Sequence, residues 1–372
     1  MNIFKNQKLG SENSYSARKP FEAIFVSSSK KHDVCDPLIV ILHGGPHSVS
    51  TSGFSKSLAF LASLGYSLLI VNYRGSLGFG EEALQSLPGK VGSQDVNDVL
   101  TAIDYVIDKG LANPSKIAVV GGSHGGFLTT HLIGQAPDKF VAAAARNPVC
   151  NLALMVGTTD IPDWAYVEAY GSGGKSSFTE APSPEQLALF HQKSPIAHLS
   201  KVKTPTIFLL GAQDLRVPVS NGLQVRLHTS SASVPFMGSL TYSVANLVLS
   251  SWCMLEDLPS LEQYARALKE KGVETKVIVF PNDVHGIDRP QSDFESFLNI
   301  GVWFKNDLSQ HHSQIDEAPQ LLSSLLCLSK LSQHHSQIDE EGLPQEEGTS
   351  THRSTKKELP FAVKVSVIRL LV

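Results

Sequence analysis

Lys116-Ile117-Ala118-Val119-Val120-Gly121-Gly122-Ser123-His124-Gly125-Gly126-Phe127-Leu128 is the stretch whose reading decides the fold. An apolar run rich in β-branched residues predicts a buried strand up to Val120, and an apolar segment over Phe127–Ile133 predicts a helix. Between them stands Gly-x-Ser-x-Gly, centred on Ser123. A sharp strand-to-helix turn holds such a serine in a strained backbone conformation and leaves its hydroxyl exposed as a nucleophile. Glycines at 121 and 125 remove side chains that would clash in that turn and let the helix approach closely. A plain glycine-rich turn is the competing reading, and the strand-to-helix context argues against it.

Working outward, the same alternation continues on both sides. Leu38–Leu42, Ser67–Val71, Val141–Ala145, Thr206–Leu210 and Lys276–Phe280 read as strands. Val96–Ile107 and Phe294–Phe304 read as helices, and Phe21–Val26 alternates like one further strand. Unbroken aliphatic runs suit strands covered on both faces. Strand and helix in alternation imply βαβ units, hence a mostly parallel sheet with helices on both faces: the α/β class, and with the serine turn the α/β-hydrolase fold. The alternation fails between Asn151 and His198, which hold Trp164, Tyr166 and Tyr170. That stretch reads either as a lid or pocket wall over the C-terminal edge of the sheet, or as a packed surface excursion.

A serine hydroxyl is a weak nucleophile and needs a base that is itself oriented by a carboxylate. In this fold the chain order is Ser, Asp or Glu, His. Asp214 follows the buried run Phe208-Leu209-Leu210, and His285 lies on a loop between the last strand and the last helix. A turn-capping role is the alternative for Asp214. His124, His131 and the histidines from His311 onward are less well placed, and Asp283 and Asp288 lie too near His285 in sequence to face its ring. Two backbone donors are needed for the tetrahedral intermediate: the N–H of His124, next to the nucleophile, and that of Gly45 in His43-Gly44-Gly45-Pro46, directly after the first long strand.

The bulk numbers agree with a globular enzyme and exclude other classes. The chain has 372 residues, 42% hydrophobic and 18% charged, with a net charge of −4. That balance gives no electrostatic case for nucleic acid or an anionic membrane. Cys35, Cys150, Cys253 and Cys327 are scattered without CxxC or CxxH spacing, so no metal site, cofactor or disulfide framework is expected, and a cytoplasmic setting is. Thr229–Leu255 lacks charge but is diluted by Ser, Thr, Gly, Asn and Pro, so no membrane span is expected. The expected organisation is an N-terminal segment 1–33, a catalytic domain 34–306 and a disordered low-complexity tail 307–372. Within the domain, 225–263 reads as an insertion: excised, it would bring Leu223, Ala265 and Leu268 onto one helical face. In the tail, Ser309–Glu317 recurs verbatim as Ser332–Glu340.

His43–His47, Asn72–Gly80 and Gly121–Gly126 together resemble the prolyl oligopeptidase family. Arg146-Asn147-Pro148-Val149, Thr159–Trp164, Asp214–Pro218 and Phe280–Asp283 resemble its acylaminoacyl peptidases, plant forms especially. The likeness covers about residues 20–224 and 264–306. It implies a serine peptidase that releases an N-acylated amino acid from short N-acylated peptides, with Ser123, Asp214 and His285 as triad and Gly45 and His124 as oxyanion donors. Family members carry a β-propeller ahead of the catalytic domain, and none is expected here. Gly286 stands where the family usually has proline. A general carboxylesterase and an inactive isoform acting by association are the alternatives, and a homo-oligomer is one expectation for its assembly.

Overall fold

A computed structural model describes residues 20–27, 36–178, 181–219, 261–308 and 364–371. The described residues form eight strands: β1 (Pro20–Ser27), β2 (Leu38–Leu42), β3 (Ser67–Asn72), β4 (Ile117–Gly122), β5 (Ala142–Arg146), β6 (Thr206–Gly211), β7 (Thr275–Phe280) and β8 (Lys364–Leu371). They form one sheet in the order β7-β6-β5-β4-β2-β3-β1-β8. Strands β2 to β7 run parallel to one another, and β1 joins β3 and β8 antiparallel. The strand order reverses at β2, because β3 lies on one side of it and β4 on the other. In open α/β sheets such a switch point opens a crevice at the C-terminal ends of the strands.

The central strands are covered on both faces, which is why they read as unbroken apolar runs. Leu38, Val40 and Leu42 of β2, with Ile117 and Val119 of β4, face one core cluster. Ile39, Ala118 and Val120 face the other. Helices α1 (Lys56–Ser63), α2 (Glu81–Leu84), α3 (Gln94–Asp108) and α4 (His124–Gln135) follow in chain order. Val96, Val99 and Ile103 of α3 and Phe127, Leu128 and Leu132 of α4 fill the first cluster. Leu61 and Ala62 of α1 belong to the second. Each fully buried Leu, Ile or Phe contributes about 1.5–3 kcal/mol relative to exposure, so these two layers dominate the fold.

Between β5 and β6 the chain forms short helices: α5 (Leu152–Met155), α6 (Pro162–Tyr170), α7 (Gly174–Ser177) and α8 (Pro184–Gln192). Ser183 caps α8 through a reciprocal capping box with Gln186. After β6 come α9 (Leu261–Glu270) and α10 (Pro290–Leu308). Tyr264, Ala265 and Leu268 put α9 on the first cluster; Leu223, the remaining member of the expected helical face with Ala265 and Leu268, lies outside the described residues. Ile300, Trp303 and Phe304 put α10 on the second.

Two boundaries differ from the sequence expectation. The sheet begins at β1, inside the segment 1–33, because Glu22–Val26 pair with Leu68–Asn72. Residues 364–371, expected in a disordered tail, instead form β8, paired with β1 from Pro20 to Ser27. Apolar β-branched Val365, Val367 and Ile368 suit a strand, and pairing covers what would be an open edge of β1. Most of the 225–263 insertion, the Thr229–Leu255 run and the duplicated motif lie outside the described residues.

Candidate active site

Ser123 stands between the end of β4 and the start of α4 with φ 57° and ψ −122°, a left-handed conformation that is costly for a residue with a side chain. The turn is forced by close approach. A Cβ at Gly121 would lie 2.3 Å from the Gly125 carbonyl oxygen, and one at Gly125 would lie 2.2 Å from that of Leu42. Both motif glycines are therefore required by packing, and neither has a positive φ. The Ser123 N–H donates to Arg146 O at 2.9 Å, tying the elbow to the end of β5.

Asp214 lies three residues beyond β6, with its side chain fully buried. Its Oδ1 accepts the backbone N–H groups of Arg216 at 2.8 Å and Val217 at 2.9 Å. Its Oδ2 accepts from His285 Nδ1 at 2.7 Å. A carboxylate can only accept, so Nδ1 carries the proton and Nε2 is left with its lone pair. The His285 ring is 24% exposed, enough to meet a substrate. Among the described residues Ser123 Oγ makes no hydrogen bond to His285. The Asp–His half of the constellation is closed by this bond, and the Ser–His contact is open.

Gly44 and Gly45 pass directly beside the serine. A Cβ on Gly44 would lie 3.0 Å from Ser123 Cβ, and Gly45 has φ 119°, a backbone conformation suited to glycine. His124 is the first residue of α4, where a backbone N–H has no intrahelical acceptor. Ser123, Asp214, His285, Gly45 and His124 all lie just past, or at, the C-terminal ends of the parallel strands β2, β4, β6 and β7.

Buried polar groups beneath these loops escaped the sequence reading. His124 Nε2 meets Asp95 Oδ2 at 3.0 Å with both side chains buried. Arg74 pairs with buried Asp98 through Nε and Nη2. His47 Nδ1 donates to Gly75 O at 2.8 Å, and its Nε2 donates to the buried carboxylate of Glu168 at 3.0 Å. Glu168 lies on α6, so the region between β5 and β6 is fastened to the loop that follows β2. Its other ties include Trp164, whose ring meets that of His124 edge-on, and Asp160, which takes a bidentate pair from Arg216. One signal was available for the carboxylates. Asp95 and Asp98 fall on the same helical face as Val99, Ala102 and Ile103, and a charge on an apolar face needs a partner.

Burial holds His43 neutral, lowering its pKa to about 4, and its ring stacks on Tyr73. Its Nδ1 donates to Gly44 O, and its Nε2 accepts from Ser76 Oγ. His131 behind the elbow is pushed down to about 3, again by burial first. His47 moves the other way, raised chiefly by its hydrogen bond to Glu168. Among the described residues no group of three His, Cys, Asp or Glu side chains is placed to hold a metal ion.

A profile of the prolyl oligopeptidase family matches residues 52–238. The acylamino-acid-releasing enzyme 1 of Oryza sativa subsp. japonica is 65% identical over 294 residues, which is 79% of this chain and 33% of that protein. The acylamino-acid-releasing enzyme of Homo sapiens is 36% identical over 298 residues, 80% of this chain and 35% of that protein. The chain thus spans about a third of the length of the curated relatives it matches. Among solved structures, the Pyrococcus horikoshii acylaminoacyl peptidase in its orthorhombic crystal form gives a TM-score of 0.60 at 19% identity. That likeness covers 80% of this chain and 43% of the other, and it carries the fold. The sheet and its helical layers are those of an α/β-hydrolase.

Proposed function

Because this chain belongs to the prolyl oligopeptidase family, we propose that it is a serine hydrolase that releases an N-acylated amino acid from the blocked end of short peptides. Its relatives in Oryza sativa and Homo sapiens are named for the release of an acylamino acid, which supports that reading. The observation that carries the reading is the 2.7 Å bond from His285 Nδ1 to buried Asp214, on loops that flank the strained Ser123 elbow.

In this mechanism Ser123 Oγ attacks the carbonyl carbon of the acylated residue while His285 Nε2 takes the hydroxyl proton. Asp214 fixes the ring and stabilises the imidazolium that forms. The N–H groups of Gly45 and His124 meet the developing oxyanion, each contributing about 3 kcal/mol in the transition state. His285 then gives its proton to the departing amine of the shortened peptide, and the acylated residue stays on Ser123 as an ester. Water, deprotonated by His285, hydrolyses that ester and restores the serine. No metal or cofactor enters these steps.

We place the reaction in the cytoplasm. Scattered cysteines without framework spacing support this, as does Cys150, which is buried and free. Among the described residues no helix is long and apolar enough to cross a membrane.

The chain should release nitroaniline from N-acetyl-alanine p-nitroanilide, and Ser123→Ala should abolish that release. Anilide cleavage that persists in the variant would sink the assignment. Rapid hydrolysis of p-nitrophenyl esters with no anilide cleavage would make the chain a carboxylesterase instead.

A further inference from the structure

Arg146 and Asn147, at the end of β5, have no part in the chemistry just described, yet this dipeptide touches all three catalytic loops. The Arg146 carbonyl accepts the Ser123 N–H at 2.9 Å. Asn147 Oδ1 accepts the N–H of Gly211, three residues before Asp214, at 2.8 Å. Asn147 Nδ2 donates to the backbone carbonyl of His285 itself at 2.7 Å. We propose that Asn147 is a positioning residue, a side-chain cross-link that sets where the imidazole of His285 stands relative to Ser123 and Asp214. The proposal rests on the serine-hydrolase reading of the site.

Four observations converge on it. Asn147 is 1% exposed and has φ 39°, a left-handed conformation that asparagine tolerates and larger residues resist. Its backbone N–H donates to Leu209 O at 2.9 Å, so the residue is anchored to β6 through main chain and side chain alike. Arg146 adds a parallel hold on the histidine loop, with Nη2 3.3 Å from Gly286 O and 3.2 Å from Ile287 O, while its guanidinium lies over the Phe297 ring. The loop held this way is itself strained, because Ile287 is β-branched, fully buried and at φ 48°. Such a conformation persists only where surrounding contacts over-determine it.

The loop also lacks slack. A Cβ at Gly211 would lie 2.4 Å from Val284 O and 2.7 Å from Asp283 O, so the aspartate and histidine loops run in direct backbone contact. Misplacement of a catalytic group by about 1 Å can cost on the order of 100-fold in rate, which sets the scale of the effect.

The test compares wild type with Asn147→Gly and Asn147→Asp. Glycine accepts the positive φ and removes both side-chain bonds, whereas aspartate keeps an acceptor for Gly211 and loses the donor to His285. Both variants should lose about 10- to 100-fold in kcat with KM within about threefold. A merely structural role would lower the melting midpoint and leave kcat of the folded protein at the wild-type value, so the kcat loss at near-constant KM is the diagnostic readout. Folded variants with wild-type kcat would overturn the proposal. If wild type itself neither turns over nor labels with a fluorophosphonate, the functional reading has failed instead. Hydrogen exchange then judges the cross-link: faster exchange at Gly211 and the 284–287 amides in Asn147→Gly upholds it, and unchanged exchange overturns it.

Discussion

A methyl group at Gly125 would lie 2.2 Å from the Leu42 carbonyl oxygen and 2.9 Å from that of His43, main-chain atoms of the last residue of β2 and the one after it. Neither can retreat without moving β2, so Gly125→Ala should displace α4 from the sheet and tilt the Ser123 elbow. We expect a loss of about 1–3 kcal/mol in stability together with at least tenfold slower reaction of Ser123 with a fluorophosphonate. Denaturant unfolding and labelling kinetics measure the two, and wild-type values in both would contradict the packing account. Residues of this kind were legible in the sequence, because a local backbone constraint dictates Gly-x-Ser-x-Gly within a few positions. The partners of His124 and His47 were not. Asp95 and Glu168 reach them across 29 and 121 residues, and only the fold brings such pairs together.

Helix α9 shows what was readable at the scale of elements. Its register follows from Tyr264, Ala265 and Leu268, which lie at helical spacing and are all buried against the sheet. Tyr264 OH also donates to Thr130 O at 3.3 Å, linking α9 to the helix behind the nucleophile. Leu268→Ala should cost about 2–4 kcal/mol, read from urea unfolding, whereas exposed Lys269→Ala should change stability by less than about 0.5 kcal/mol. Equal effects would mean that α9 does not pack by this face. The central strands were equally plain, since burial on both faces writes them as aliphatic runs. Helices α5 to α8 left no such pattern: they are short, and several are held by caps and side-chain ties such as the Ser183–Gln186 box rather than by a long apolar stripe. β8 was missed for another reason. It follows a long polar stretch, and its pairing with β1 joins the two ends of the sequence.

Across the whole molecule, buried histidines set a direction for pH dependence. His43 and His131 have pKa values of about 4 and about 3 in the folded protein because burial disfavours their charged forms. In the unfolded chain both titrate near 6.5. As pH falls through 6.5, the unfolded state binds protons that the folded state refuses until about 4 and 3, so stability is full above 6.5 and drains away toward 3. His47 has the opposite sign: its pairing with Glu168 stabilises the fold at low pH, and that gain is lost as pH rises through its raised pKa. His47 is 32% exposed and screened, whereas His131 is 1% exposed, so the acid-labile pair should dominate. The urea midpoint at pH 5.0 should lie below that at pH 7.5, and a higher midpoint at pH 5.0 would reverse the assignment.

The claim on which the rest depends is that Ser123, His285 and Asp214 act as one unit. Reaction of the full chain with a fluorophosphonate, followed by mass-spectrometric mapping, tests it most directly. The account predicts one phosphonyl group on Ser123, none in Ser123→Ala, and labelling slowed by at least 100-fold in His285→Ala. An unlabelled wild-type chain, or wild-type labelling in His285→Ala, would contradict it.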